Sequence, residues 1–212
     1  MKWVSSLLLL ICLSACAPSS LTGLVVAPGG VIYQDDFSDP ASGWPRISDV
    51  SGNLDYDPGG AYQMAINNAN YDIWAMSGYS FSDLRIEVDA GILEGPQVSR
   101  YGLVCRYVDP KNFYFFVVTG DGYEAIGKVR QGVQTLLGQD LMEYDLAVNT
   151  GNGPNHLRFD CVGQQLSGYV NQQSVASVED ADFKTGDAGL LVGAFDQPGV
   201  KVSFDNFVVY KP

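Results

Sequence analysis

The chain has 212 residues, with 12 Lys and Arg against 24 Asp and Glu, and its formal net charge at pH 7 is -12. This length predicts a single globular domain. A surface this acidic repels phosphate backbones and anionic lipid headgroups, so the charge argues against nucleic-acid binding and against electrostatic adsorption to membranes. Sugars and cations remain compatible with it.

The first 15 residues predict a signal peptide. Lys2 precedes an apolar run at residues 4–13, which is too short to span a bilayer but has the length of a signal-peptide hydrophobic region. The motif that follows, LSAC, ends at Cys16 and resembles the lipobox of bacterial lipoproteins. The resemblance implies that Cys16 is acylated and anchors the protein in the membrane at the bacterial cell surface. Cleavage at a small-residue site, with Cys16 incidental, is the alternative, and both interpretations predict export.

Residues 16–31 are small, uncharged and contain proline and glycine. This composition predicts a flexible tether between the lipid and a folded domain at residues 32–212.

Past the tether, apolar side chains recur with period two, and no stretch of twelve residues carries a helical stripe. In DLRIEVDAG, Leu84 and Ile86 point one way while Arg85 and Glu87 point the other, as in a half-buried strand. Further candidate strands are GAYQMAI, YGLVCRYV, NFYFFVVT, YEAIGKVR, HLRFDCVG, QLSGYVN, AGLLVGA and VSFDNFVVY. Many short strands separated by Gly-rich turns predict an all-β antiparallel sandwich or barrel.

The strand NFYFFVVT is apolar on both faces. Phe113 and Phe115 share one face, and Tyr114 and Phe116 share the other. This pattern predicts either a central strand that is shielded on both sides or a strand that lines a groove with aromatic side chains.

The cysteines offer one possible disulfide. Cys12 is removed with the signal peptide, and Cys16 is the predicted acylation site. Cys105 and Cys161 are therefore the cysteines that remain for a disulfide. In an oxidising compartment they form one disulfide, or else they are two small buried apolar residues on different strands. The single histidine, His156, and the lack of cysteine pairs at ligand spacing give no support to a zinc site or a Ser-His-Asp triad.

Four segments together resemble a known family. They are DDFSDPASGW (35–44), YGLVCRYVDPKNFYFFVVTGDGYEAIGKV (101–129), NHLRFDCVGQQLSGYVNQQSVASVED (155–180) and GDAGLLVGAFDQPGVKVSFDNFVVY (186–210). In order and spacing they resemble the concanavalin A-like lectin/glucanase superfamily, and most of all its laminin-G-like and 3-keto-disaccharide-hydrolase-like domains. The resemblance implies a jelly-roll sandwich of two antiparallel sheets, one concave, with the chain termini on neighbouring strands. It implies no particular reaction, because this fold hosts lectins, hydrolases and adhesion modules.

The catalytic patterns of the family are not kept. Glucanases of this fold place their carboxylates as E-x-D-x-E or E-x-D-x-x-E on one strand, whereas here Glu87 and Asp89 are followed next by Glu94. In the 3-keto-disaccharide hydrolase pattern, Arg106 matches the arginine, but a glutamate appears only after the next turn, at Glu124. We therefore favour a non-catalytic carbohydrate-binding or adhesion module. A glycan-modifying hydrolase or lyase with a divergent site is the alternative, and a purely structural envelope protein is a third possibility.

A ligand face is predicted on three neighbouring strands, at residues 101–108, 112–119 and 123–130. The prediction places Arg106, Tyr114 and Glu124 on one side, because a flat aromatic ring beside a fixed donor suits a sugar ring. Loops near the rim contribute Trp44 or Trp74. The alternative places Tyr114 in the core and pairs Arg106 with Glu124 across the strands.

The family resemblance also implies a structural calcium ion where the first and last strands meet. Asp205 resembles the C-terminal aspartate of such a site, and Asp36 is its expected companion, with backbone carbonyls completing the coordination. The alternative is that Asp205 and Asn206 only hydrogen-bond the N-terminal loop.

Overall fold

A computed structural model describes residues 26–212. The predicted signal peptide, the lipidation site at Cys16 and the tether up to residue 25 therefore lie outside the described residues. Within 26–212, no helix is long and apolar enough to cross a membrane.

The described residues form two antiparallel β-sheets. The nine-stranded sheet contains β1 (Val31–Asp35), β2 (Ile47–Ser48), β3 (Gly52–Tyr56), β4 (Tyr62–Ile66), β6 (Leu84–Glu94), β12 (Asn155–Val162), β13 (Gln165–Val170), β14 (Gln173–Glu179) and β16 (Val200–Tyr210). The seven-stranded sheet contains β5 (Tyr71–Phe81), β7 (Arg100–Asp109), β8 (Asn112–Thr119), β9 (Tyr123–Arg130), β10 (Val133–Leu136), β11 (Glu143–Tyr144) and β15 (Gly186–Ala194). The predicted all-β, two-sheet antiparallel sandwich is confirmed.

Strand order follows jelly-roll crossovers rather than the order of the chain. The larger sheet runs β14-β13-β12-β6-β16-β4-β3-β2, and β1 pairs with β16. The smaller sheet runs β10-β9-β8-β7-β15-β5, and β11 pairs with β9. Because β1 and β16 are hydrogen-bonded neighbours, the two ends of the domain meet, as the family resemblance implies.

The core lies between the two sheets. Along β6 the residues alternate between buried and partly exposed, and Leu84, Ile86 and Val88 are fully buried. The smaller sheet contributes Tyr114 and Phe116 of β8 to the same cluster. Period-two burial of this kind follows from the pleat, which sends successive side chains to opposite faces.

Cys105 of β7 and Cys161 of β12 form a disulfide that joins the two sheets, with Cα atoms 6.8 Å apart. The same end of the sandwich receives the N-terminal strand: Cys161 lies opposite Leu84, and the next residue of β6, Arg85, lies opposite Tyr210. Since Tyr210 also pairs with Val31, the chain enters the domain at the end that carries the disulfide.

Candidate functional site

Arg106 lies inside the sandwich, not on a ligand face. The register between β7 and β8 shifts between Cys105 and Asp109, and Arg106 has a φ of 50°, as in a β-bulge. The bulge turns the Arg106 side chain inward, where it is 1% exposed. Its guanidinium donates to the carbonyl oxygens of Ser82, Cys161, Gly163 and Phe183 and to the carboxylate of Asp83. Arg106 therefore joins loops of both sheets, and its predicted ligand contact is wrong.

Tyr114 and Trp44 are also core residues. The Tyr114 hydroxyl donates to Asp180 Oδ1 at 2.5 Å and accepts from the backbone N–H of Phe183 at 3.1 Å, and burial raises the pKa of Tyr114. The Trp44 indole, 4% exposed, donates to Asp35 Oδ2 at 3.0 Å. The predicted ligand contacts of both residues are corrected by this burial; for Tyr114, the alternative that placed it in the core is confirmed.

Glu124 is buried and, in the part of the chain that the structure describes, belongs to no ion pair. Its side chain is 2% exposed, and within residues 26–212 its Oε2 atom has no hydrogen-bond partner. Burial, together with the neighbouring carboxylates of Glu143 and Asp145, raises the pKa of Glu124 to about 7. Neither predicted role holds: the residue is sealed from ligands, and Arg106 pairs instead with Asp83 at 3.1 Å.

Trp74 is the predicted site residue that does reach an open surface, the outer face of the seven-stranded sheet. Its indole N–H donates to the Tyr107 hydroxyl at 3.2 Å, and its ring centroid lies 5.4 Å from that of Phe113. Phe113 and Phe115 belong to a second apolar cluster that is separate from the core between the sheets. Strand β8 is therefore apolar on both faces because one face lines the core and the other lines this outer cluster.

Two adjoining cavities form a groove across this outer face. One, of about 170 Å³, is lined by Asp72, Trp74 and Phe113; the other, of about 500 Å³, is lined by Leu141 and Phe195. Both cavities are also lined by Arg100, Phe115 and Gln134. We call the surface formed by these eight residues the outer groove.

An ion pair lies in the outer groove. Arg100 donates from Nε and Nη2 to Asp72 Oδ1 at 3.1 and 2.7 Å, and from Nη2 to Asp72 Oδ2 at 2.6 Å. The guanidinium carbon lies 4.7 Å from the centre of the Phe195 ring, a distance at which a cation is attracted to the ring face. Both charged side chains are partly exposed, so the pair is open to a ligand.

Gly193 provides the space for this pair. On β15 it lies opposite both Asp72 of β5 and Arg100 of β7. A Cβ atom at Gly193 would lie 2.1 Å from Asp72 Oδ1 and 2.4 Å from Arg100 Nε. The pair can therefore bridge two strands because the strand between them carries no side chain at this point.

Solved structures resemble this sandwich closely enough to define its fold. The carbohydrate-binding module CBM66 from Bacillus subtilis matches with a TM-score of 0.63 and 22% identity, over 80% of this chain and 96% of that one. A Bacillus subtilis protein of unknown function with a galectin-like fold matches with a TM-score of 0.64 and 12% identity, over 87% of this chain and 97% of that one. The fold is concanavalin A-like. Among the other similar structures is a Bacillus licheniformis β-glucanase, with a TM-score of 0.61 and 11% identity over 85% of this chain and 97% of that one. Neither a protein-family model nor a curated protein matches the sequence.

The two predicted calcium ligands line different cavities, of which Asn206 is a shared lining residue. Asp36 lines one of them, and Asp205 lines the other with Asp89. Asp36 Oδ1 accepts from Ser38, and Asp205 Oδ1 accepts from the N–H of Asn206 at 2.7 Å. Within residues 26–212, no group of three or more His, Cys, Asp or Glu is placed to hold a metal ion. Calcium binding that relies on backbone carbonyls stays a prediction.

The sequence interpretation missed Asp72, Arg100 and Phe195. Asp72 and Trp74 are two residues apart on β5 and share a face, but the sequence interpretation placed Trp74 on a loop and did not predict this strand. Arg100 and Phe195 gave no signal either, since Arg100 is the first residue of β7 and Phe195 follows the last residue of β15, and they meet only because the two strands pair.

Proposed function

We propose that the protein is a lipid-anchored carbohydrate-binding module of the cell surface, and that the outer groove holds the sugar. The observation that carries the proposal is the presence of partly exposed Trp74 and the Asp72–Arg100 pair in one groove. An indole ring packs against the apolar face of a sugar, while a guanidinium donates to hydroxyl oxygens and a carboxylate accepts from hydroxyl groups.

The position of the groove relative to the chain entry supports display at a surface. The entry lies at the end of the sandwich that carries Cys105, and Arg100 lies five residues earlier on the same strand. At about 3.3 Å per residue, this separation is roughly 17 Å along the strand. A chain held through Cys16 would then carry the Asp72–Arg100 pair away from the end of the sandwich where the tether enters.

The chemistry of the carboxyl groups favours binding over hydrolysis. Retaining glycoside hydrolysis uses two carboxyl groups about 5 to 5.5 Å apart, one of them with a raised pKa. Among residues 26–212, Glu124 is the carboxyl group with a raised pKa, and it lies inside the sandwich. The groove carboxylate Asp72 is instead held by Arg100, as suits a fixed acceptor.

The test combines a glycan array with a hydrolysis assay on the same polysaccharides. We expect the mature chain to bind at least one glycan without cleaving it, and Trp74→Ala to weaken that binding about tenfold or more, as for an aromatic anchor. Tyr79→Ala is the matched control, because Tyr79 is an exposed aromatic residue on the same strand that packs against Tyr33 outside the groove. Product release by the wild type would favour the hydrolase alternative, and a wild type that binds no glycan would contradict the proposal.

The anchor is tested separately. Metabolic labelling with a fatty-acid probe should mark the wild type, and Cys16→Ser should release the protein from membranes because it removes the acylated thiol. A soluble and unlabelled wild type would contradict the anchor without affecting the proposed sugar site.

A further inference from the structure

We propose that the outer groove selects neutral glycans with adjacent free hydroxyl groups and rejects acidic ones, an inference that rests on the proposed function. The selectivity comes from the Asp72–Arg100 pair, which presents donors and acceptors side by side while its two charges cancel.

Arg100 retains unused donors that are fixed in place. Its Nε and Nη2 atoms are bound to Asp72, and one face of its guanidinium is packed against Phe195. Among residues 26–212, its Nη1 group has no hydrogen-bond partner, so both N–H bonds of that nitrogen are left for a ligand. Because the guanidinium is planar and held on one edge and one face, little side-chain freedom is lost when it donates.

Asp72 supplies the matching acceptor. A carboxylate offers about four acceptor positions, and three contacts with Arg100 leave about one of them for a ligand. A hydroxyl group both donates and accepts, so of two neighbouring hydroxyls one can accept from Arg100 Nη1 while the other donates to Asp72. Adjacent hydroxyls on a sugar ring fit this pair of groups without displacing either partner.

An acidic sugar should bind the outer groove more weakly than a neutral one, because its carboxylate is repelled there. Its carboxylate would meet a guanidinium that Asp72 already neutralises, and two carboxylates bound to one guanidinium repel each other strongly in a partly desolvated site. Asp140 lines the second cavity of the groove and adds to this repulsion, as does the formal charge of -12 on the chain. A neutral ligand meets no such repulsion.

Gly193 leaves room for the Asp72–Arg100 pair, so a substitution at Gly193 is a second way to disrupt that pair. Its φ does not lie in the left-handed region, and a Cβ atom would meet the Asp72 and Arg100 side chains before any backbone atom. Gly193→Ala should therefore force the pair apart while leaving the strand conformation accessible. We expect this variant to lose affinity for neutral glycans without a charge change.

The experiment measures binding of the mature chain to two sets of polymers by affinity electrophoresis and calorimetry. The neutral set contains β-glucan, mannan, galactan, xylan and fructan, and the acidic set contains polygalacturonate and alginate. The test variants are Asp72→Asn and Gly193→Ala. The matched control is Asp55→Asn, because Asp55 also accepts from an arginine side chain, Arg46, at 2.7 Å but lies on the other sheet, outside the groove.

We expect the wild type and Asp55→Asn to bind a neutral polymer and neither acidic one. Asp72→Asn removes the repulsive charge and leaves Arg100 unneutralised, so it should bind that neutral polymer more weakly and gain about tenfold or more in affinity for an acidic polymer. Gly193→Ala should weaken neutral binding with no such gain.

Wild-type binding to polygalacturonate or alginate at least as tight as to the neutral set would overturn this inference while the proposed function stands. An Asp72→Asn chain with unchanged preference would do the same, and a wild type that binds no polymer at all would overturn both.

Discussion

The buried carboxyl group of Glu124 should make the stability of the domain depend on pH. Its ordinary pKa is 4.5, and in the folded protein burial and the neighbouring carboxylates of Glu143 and Asp145 raise it to about 7. Below pH 4.5 the group is protonated in both the folded and the unfolded chain. As the pH rises from 4.5 to 7, the unfolded chain releases this proton while the folded chain keeps it, so stability falls with rising pH.

The magnitude follows from the size of the shift. One pKa unit corresponds to about 1.4 kcal/mol, so a shift from 4.5 to about 7 corresponds to roughly 3 kcal/mol of stability that is present below pH 4.5 and lost by pH 7. This is a substantial part of the 5 to 15 kcal/mol that typical domains possess.

Glu124→Gln isolates this contribution, because glutamine is similar in shape but does not titrate. Urea unfolding of the wild type and the variant at pH 5 and pH 8, with the disulfide intact, gives the free energy of unfolding at each pH. We expect the variant to gain roughly 2 to 3 kcal/mol relative to the wild type between pH 5 and pH 8. Glu94→Gln, at an exposed residue near Lys201, is the control and should change little. If Glu124→Gln and the wild type lost stability in parallel, the group would not be held neutral by its surroundings.

Three further predictions concern the disulfide end and the predicted metal site. Arg106→Met should lower the free energy of unfolding by about 3 kcal/mol or more, because it leaves buried carbonyl oxygens without a donor; a loss below 1 kcal/mol, measured by urea unfolding, would mean that water replaces the guanidinium. Thiol titration of the denatured, unreduced mature chain should find Cys105 and Cys161 unreactive, whereas two free thiols would contradict the disulfide. If calcium binds near Asp36 and Asp205, EDTA should lower the melting temperature and added calcium should restore it; an unchanged melting temperature would favour the alternative in which these residues make only hydrogen bonds within the protein.

The fold could be predicted from the sequence wherever the period of two was regular. Strand β6 alternates between apolar and charged residues along most of its length, so its buried and wet faces were assigned correctly. Strand β5 was missed although it is 11 residues long. Its outward side chains include Trp74 and Met76, while Ser77 is buried, so the polar and apolar residues do not separate by face. The positive φ of Gly78 and a register shift against β15 interrupt the pattern further.

The candidate site was misplaced because a β-bulge in β7 reverses the sequence parity. Regular alternation from the inward residues Leu103 and Cys105 places Arg106 outward and Tyr107 inward, whereas the bulge at Arg106 exchanges the two. After this exchange, the polar groups of both side chains have hydrogen-bond partners. Inside the sandwich the guanidinium meets enough backbone carbonyls to use its donors, so the usual cost of burying a charge is offset. Outside it, the Tyr107 hydroxyl is placed to accept from the Trp74 indole. The bulge that removes Arg106 from the predicted ligand face thus also fixes Tyr107 beside Trp74 in the outer cluster, and the arginine of the proposed sugar site is Arg100, near the other end of the same strand.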